Sequence, residues 1–309
     1  MSWKPDVCLY HFPCDDGFAS AWIARKRWPD LVLAPTNYGQ MFPHVDFRGK
    51  NVLIADFSYK PDAISELMMS FGARSIVMLD HHKTAQADLK DFAVEMCGGA
   101  KFTASDIDGA FRDMAQLDRP AVLARFDMER SGASLTWEFC FPDEPMPKLI
   151  RHIEDRDLWR MKLPNTRAIS LFLRSYSYDF DVWTRVAEEL GNDLSGGGLY
   201  VSELIREAAG IERFYDQKIA EMLPTATLKS IGKWKNIPVA HAPYAFASDL
   251  ANEMLKAHPN APFAAVVVDA YGGRTYSLRS EDSRQDVSEV ARTFGGGGHR
   301  NAAGFRVPI

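Results

Sequence analysis

Asp80-His81-His82 follows the apolar run Ser75-Ile76-Val77-Met78-Leu79, so a buried strand there would end in one carboxylate and two imidazoles. Those groups suit a hard or borderline divalent cation. Two other apolar runs end in the same way. Val7-Cys8-Leu9-Tyr10 leads into His11, with Asp15 and Asp16 close behind, and Val52-Leu53-Ile54-Ala55 leads into Asp56. A single Asp at a strand end is equally well explained by capping of the next helix. Capping does not explain three strands that end in His or Asp, one of them with adjacent histidines. In an open parallel sheet, ligands bind outside the carboxyl ends of the strands, so these residues predict one polar, metal-binding cleft. The set needs no thiolate, which favours Mn2+, Mg2+ or Co2+ over structural zinc. Two such ions about 3.5–4 Å apart can share a carboxylate and clamp a phosphoryl group. Asp56, alone at its strand end, is the natural bridge.

The elements that must position these residues alternate. Strands are predicted over 7–11, 52–56 and 75–80, and helices over 17–28 and from Pro61 to Phe71. This βαβα pattern favours a parallel sheet. Residues 104–118 fit either an extended surface segment or a helix. Helices are expected from Gly132 to Phe141 and from Ile150 to Trp159, the latter carrying Asp155-Arg156-Asp157. The glycine run in Asn192–Gly198 breaks the pattern. It predicts a catalytic domain over 1–191, a linker and connecting helix over 192–226, and a substrate-binding domain over 227–309. The expected class is therefore α/β: a parallel-sheet N-terminal domain and a smaller mixed α/β C-terminal domain, with the linker allowing hinge motion.

Composition narrows the function. The 309 residues are 46% hydrophobic, enough for real cores, and no stretch has the length of a membrane span. The N-terminus lacks the zones of a secretory signal. Cys8, Cys14, Cys97 and Cys140 show no CxxC spacing, so neither a disulfide framework nor a zinc knuckle is expected, and the cytoplasm is the default location. The net charge is −5, without a basic block. That argues against long duplex nucleic acid held by its backbone and leaves a short phosphate substrate open.

With these motifs in order, the chain resembles the DHH phosphoesterases, which include family II pyrophosphatases, single-strand exonucleases and nano-RNA-degrading oligoribonucleases. The matching strings are His11-Phe-Pro-Cys-Asp-Asp-Gly-Phe18, Ala55-Asp56, Asp80-His81-His82, and Asp155 within Ile-Glu-Asp-Arg-Asp-Leu-Trp. Near the end, Gly295-Gly-Gly-Gly-His-Arg-Asn-Ala-Ala-Gly-Phe305 looks like the GGGH signature of the DHH-associated substrate domain. The resemblance implies that His11, Asp16 and Asp56 hold one metal ion, and that Asp56, His81 and Asp155 hold a second. It implies that Asp80 orients an imidazole, and that His82 contacts substrate or assists proton transfer to the leaving group. Asp157 is the rival of Asp155, which motif position favours. Many members carry Pro-Asp-Gly-Asp where this chain has Asp15-Asp16-Gly17-Phe18. Phe18 cannot bind metal, so one or two ions are expected. Asp15, standing where those members have Pro, is a candidate to compensate.

The C-terminal motif also has a physical reading of its own. Glycines let a backbone approach an anion, and successive N–H groups form a nest. His299 adds a donor, and Arg279, followed by Ser280, offers a guanidinium fork for phosphate. Arg279, Ser280, Gly297, Gly298 and His299 are the expected substrate-binding residues. Cys14 reads as a small packing residue, and His152 as a surface histidine or a neighbour of the metal site. Ser131-Gly132-Ala133-Ser134 reads as a capped helix start, with phosphate binding as the alternative. The expected activity is metal-dependent hydrolysis of phosphodiesters in short oligonucleotides or small nucleotides. The alternatives are an exopolyphosphatase or pyrophosphatase, and a nucleotide-binding regulator with an impaired metal site.

Overall fold

The computed structural model describes residues 3–95, 103–117, 119–191, 198–270 and 272–308, which divide into two compact units, Met1–Ile211 and Glu212–Ile309. The glycine run at 192–197 and Cys97 lie outside the described residues.

The first unit is built on a parallel sheet. In chain order its elements are β1 (Val7–His11), α1 (Asp15–Arg27), β2 (Val32–Thr36), β3 (Asn51–Ala55), α2 (Pro61–Met69), β4 (Ser75–Asp80) and α3 (Lys83–Leu89). Next come β5 (Val94–Glu95), α4 (Ala104–Gln116), β6 (Val122–Phe126), α5 (Gly132–Cys140), α6 (Lys148–Asp157), α7 (Thr166–Arg174) and α8 (Phe180–Gly191), then α9 (Gly198–Met222), inside which the unit boundary falls. The strands lie in the order β2-β1-β3-β4-β6-β5, and every pairing is parallel. The chain steps from β1 outward to β2 and then back past β1 to β3, so the strand order reverses between β1 and β3. A crevice opens at such a reversal, beside the carboxyl ends of the strands.

Alternating side chains send each strand into two cores. Leu53, Val77, Leu79 and Leu123 meet α1, α5 and α6 on one face, while Val52, Ile54, Ile76, Met78 and Val122 meet Ile64 and Leu67 of α2 on the other. Burial on both faces explains why these strands read as continuous apolar runs rather than alternating ones. β2 was not expected. Pro35 lies within it, and a residue with no N–H is tolerated because β2 forms the edge of the sheet. Residues 104–116 form helix α4. Thr103 and Asp106 make a reciprocal capping box at its start, and Ile107 and Met114 bury its inner face.

The second unit contains β7 (Thr227–Ile231), β8 (Trp234–His241), α10 (Ala247–Ala257), β9 (Ala264–Ala270), β10 (Gly273–Arg279), α11 (Val287–Arg292), β11 (Gly297–Gly298) and β12 (Ala302–Val307). Its sheet runs β11-β12-β10-β9-β8-β7 and is mixed: β8 and β9 pair parallel through the α10 crossover, and the other pairs are antiparallel. The expected turn between β9 and β10 is present at Gly272, whose φ of +75° suits glycine, while Tyr271 lies outside the described residues. The α/β class, with a parallel sheet and then a smaller mixed domain, is therefore observed.

Candidate metal centre

The strand reversal brings the end of β1 beside the end of β3, with β4 next to it. His11 ends β1, Asp56 follows β3, and Asp80, His81 and His82 close β4. Asp56 turns the chain with φ +55°, a left-handed conformation that Asp adopts more readily than most residues. Its backbone N–H donates to the Leu79 carbonyl at 2.9 Å, which ties it to β4.

His81 is the hub. Its Nε2 lies 3.1 Å from Asp56 Oδ1, 3.5 Å from Asp16 Oδ2 and 3.5 Å from Asp157 Oδ2. The other Asp56 oxygen, Oδ2, lies 3.4 Å from His11 Nδ1 and is buried without a hydrogen bond. Asp56 thus faces a different imidazole with each oxygen. Asp16 sits in the first turn of α1, yet its carboxylate accepts from the backbone N–H groups of Gly132 at 2.6 Å and Ala133 at 3.0 Å. The amides at the start of α5 therefore already have an acceptor, and it is a side chain of the protein. Ser131 caps the same helix, accepting from the Ser134 N–H at 3.2 Å.

Two glycines make this packing possible. A Cβ on Gly132 would lie 2.5 Å from the Asp56 Cβ, and one on Gly17 would lie 2.1 Å from the His11 carbonyl oxygen. Gly17 lets α1 start tight against the end of β1, and Gly132 lets α5 start tight against Asp56. Nothing in the linear sequence marked Gly132 in this way.

Asp80 is fully buried and does not face the hub. It accepts from Ser58 Oγ at 2.6 Å, from the His81 N–H at 2.7 Å and from the His82 N–H at 3.2 Å, and it holds His82 Nδ1 at 2.7 Å. It fixes the His82 ring from below.

Of the two carboxylates, that of Asp157 lies beside His81. The Asp155 carboxylate accepts from the Lys162 and Leu163 N–H groups at 2.9 and 3.0 Å and from Thr166 Oγ1 at 2.6 Å. His152 Nδ1 completes that chain at 2.9 Å from Thr166 Oγ1. Asp155 organises the loop after α6, and Asp157 reaches His81. Asp15 is also turned away from the hub. It is bound by Arg174 Nε at 2.7 Å and by the Tyr178 hydroxyl at 3.0 Å. Phe18 enters an aromatic cluster with Tyr178, Phe180 and Trp183, which accounts for an apolar residue in the first motif.

The electrostatics are those of a site short of positive charge. Burial pushes the Asp56 carboxyl up, but the imidazoles of His11 and His81 beside it outweigh burial and hold the group well below the usual carboxylate range. Asp16 goes the other way: burial, then the negative Asp56 and Asp157, drive it well above that range. Asp157 is raised, chiefly by burial. Burial opposes charge on His81, yet the hydrogen bond to Asp56 and the surrounding carboxylates lift it to about 10. Protons thus supply charge that a cation would supply better. Together with the orphaned Asp56 Oδ2, this donor set of carboxylates and imidazoles fits a divalent cation. Ligand atoms of Asp16, Asp56 and His81 lie within 4.8 Å of one another, as do those of His11, Cys14 and Asp56. Burial, followed by the neighbouring carboxylates, raises the Cys14 thiol well above its ordinary value, in keeping with a packing role.

Sequence reasoning did not single out Tyr38. It lies on the loop after β2, with ring centroids 5.6 Å from His11 and 5.8 Å from His82.

In the second unit, Arg279 ends β10. Its guanidinium donates to Ser248 Oγ of α10 at 2.6 Å, to the Leu278 carbonyl at 2.8 Å and to Ser277 Oγ at 3.2 Å. Ser280 is buried, its hydroxyl 3.4 Å from the Pro262 carbonyl. Gly297 and Gly298 form β11 and pair with Gly304 and Ala303 of β12. A Cβ on Gly298 would lie 2.6 Å from the Ala302 carbonyl oxygen, so glycine here lets two strands approach closely. His299 sits at the hairpin turn, its N–H donating to the Ala302 carbonyl at 2.7 Å.

No family model matches the chain. An uncharacterized protein, R106, of Acanthamoeba polyphaga mimivirus is 31% identical over 326 residues, covering 97% of this chain and 67% of that protein. Oligoribonuclease NrnB of Bacillus subtilis (strain 168) is 33% identical over 97 residues, 31% of this chain and 22% of that protein. Among solved structures, the pGpG-specific phosphodiesterase PggH of Vibrio cholerae aligns over 98% of this chain and 94% of its own, with 12% identity and a TM-score of 0.45. Fold and motif set together define an α/β protein with an Asp–His centre at the strand ends of its parallel sheet. The chain is of one family with the mimivirus protein R106, and its motif set resembles that of the DHH phosphoesterases.

Proposed function

We propose that this chain is a divalent-metal-dependent phosphoesterase that hydrolyses short oligonucleotides or small nucleotide phosphoesters. The observation that carries the reading is Asp56, whose two oxygens face two different imidazoles while Asp16 and Asp157 crowd the second of them. His11, Asp16, Asp56, His81 and Asp157 would hold one or two ions, Mn2+, Mg2+ or Co2+, with Asp56 as the shared ligand. A bound ion supplies Lewis-acid polarisation of the phosphoryl group and lowers the pKa of water.

The remaining roles belong to the chain itself. Asp80 keeps His82 in one orientation through Nδ1, which directs Nε2 to serve the leaving oxygen as a hydrogen-bond or proton donor. Arg279, pre-positioned by Ser248, and His299 are assigned to phosphate binding. Asp155 keeps the loop after α6 in place, so that Asp157 stays at the hub. The net charge of −5 without a basic block supports a short substrate over a long one.

The test is turnover with added Mn2+ against short oligoribonucleotides, cyclic dinucleotides, pyrophosphate and polyphosphate, with Asp56→Ala as the control. Mononucleotide release that vanishes in the variant is expected. Orthophosphate release from polyphosphate alone would replace this reading with an exopolyphosphatase. Bound metal without any turnover would replace it with a nucleotide-binding regulator.

A further inference from the structure

Tyr38 is packed at the centre yet left half in water. Its ring meets His11 and His82 edge-on and tilts over the buried Phe57 at 4.6 Å. The loop that carries it is fixed. The Phe12 N–H donates to the Thr36 carbonyl at 2.9 Å, the Asn37 side chain donates to the Phe12 carbonyl at 3.0 Å, and the Tyr38 N–H donates to Asn37 Oδ1 at 2.7 Å. The residue nonetheless remains 49% exposed, and its hydroxyl makes no hydrogen bond among the described residues. An aromatic ring held by three ring contacts carries a hydroxyl that can donate to a ligand at little further ordering cost.

The chemistry of the centre says what that ligand group is. Asp16, Asp56, Asp157 and the imidazoles of His11 and His81 serve cations, so they offer nothing to the phosphoryl oxygens on the side facing away from the ions. A donor is needed there. Lys or Arg at that point would bring a positive charge against the ions, whereas a phenol donates without charge. We propose that Tyr38 contacts the substrate, its hydroxyl donating a hydrogen bond to a non-bridging phosphoryl oxygen held at the His11–Asp56–His81 centre. This inference rests on the phosphoesterase reading above. The three ring contacts fix the ring beside the centre, and His82, 5.8 Å away between ring centroids, serves the leaving oxygen.

The experiment compares Tyr38→Phe, which keeps the ring and removes only the hydroxyl, with Tyr38→Ala and the wild-type chain. The substrate is 5′-phosphorylated diadenosine with Mn2+. A hydrogen bond to a charged group predicts that Tyr38→Phe loses about 10- to 100-fold in kcat/KM. Its Mn2+ affinity is expected to stay within about twofold and its melting temperature close to wild type, because the ring packing is unchanged. Wild-type kinetics in Tyr38→Phe overturn the contact, and so does a loss that comes with weaker Mn2+ binding or a lowered melting temperature. A wild-type chain inert toward every phosphoester sinks the hydrolase reading by itself. The contact is then decided by calorimetric titration with AMP in the presence of Mn2+. Affinity lower in Tyr38→Phe by the same factor upholds it, whereas equal affinities, or no AMP binding by either protein, overturn it.

Discussion

Asp155 and Asp157 are two residues apart on the last turn of α6, about 200° around the helix, so they cannot face the same partner. Asp157 points to His81, and Asp155 points to the loop that follows. Their substitutions should therefore fail differently. Asp157→Asn removes a charge from the hub and is expected to weaken binding of an ion by at least about tenfold, with the fold intact. Asp155→Ala strips acceptors from two backbone N–H groups and the Thr166 hydroxyl. It is expected to cost about 1–3 kcal/mol of stability with a smaller direct effect on metal affinity. Titration calorimetry and thermal melts on both variants check this, and the reverse pattern would return Asp155 to the ligand set. The sequence string Glu-Asp-Arg-Asp carries no phase information that separates the two, because the choice depends on how α6 is rotated against α1 and α5. His11, Asp16, Asp56 and His81 were readable because each follows or ends a strand of unmistakable apolar character. Tyr38 was not readable, since it becomes a neighbour of His11 and His82 only once β2 has paired with β1.

At the scale of elements, the strands that carry the centre were legible because both faces of the sheet are covered. Continuous apolar runs follow from that burial, and β1, β3 and β4 emerge within a residue of their observed ends. The edge strand β2 was hidden by Pro35 and by Val32, which is 48% exposed, since one covered face leaves a weaker pattern. The least legible feature was the fit of α5 against β3. Ser131-Gly132-Ala133-Ser134 has the residues of a capped helix start, and Ser131 does cap, but the acceptor at its amides is the Asp16 side chain. Gly132 is where packing becomes chemistry, because any Cβ there would press on Asp56. Gly132→Ala is expected to cost about 1–3 kcal/mol from overpacking. It should also displace Asp56, lowering turnover more than a variant of equal instability elsewhere in α5. Activity plotted against melting temperature for Gly132→Ala and for Thr136→Ser, whose hydroxyl only bonds back to the Gly132 carbonyl, tests this. Both points on one line would mean that Gly132 matters for stability alone.

At the scale of the whole molecule, a centre that binds metal as proposed would tie stability to pH and to cation supply. Without a cation, Asp16 and Asp157 bind protons more readily than in the unfolded chain, so ionising them costs folding free energy as pH rises. Asp56 acts in the opposite sense. Its lowered value gives stability that is present above the ordinary carboxylate range and lost only in acid. His81, raised to about 10, contributes stability that is complete below its unfolded value near 6.5 and fades as pH climbs through 10. A divalent cation bound as proposed would reverse the balance, taking the place of those protons and releasing them. Mn2+ affinity is therefore expected to rise between pH 6 and pH 8, with proton release visible as a dependence of the calorimetric enthalpy on the buffer's ionisation enthalpy. At a free Mn2+ concentration 100 times Kd, the ion adds about 2.7 kcal/mol of stability. Because Kd falls as pH rises, the gap in melting temperature between loaded and stripped protein at fixed Mn2+ should widen from pH 6 to pH 8. A gap that stays constant, with no proton released, would mean that the carboxylates around His81 are already ionised in the stripped protein, and that the ion enters a site prepared for it in charge as well as in shape.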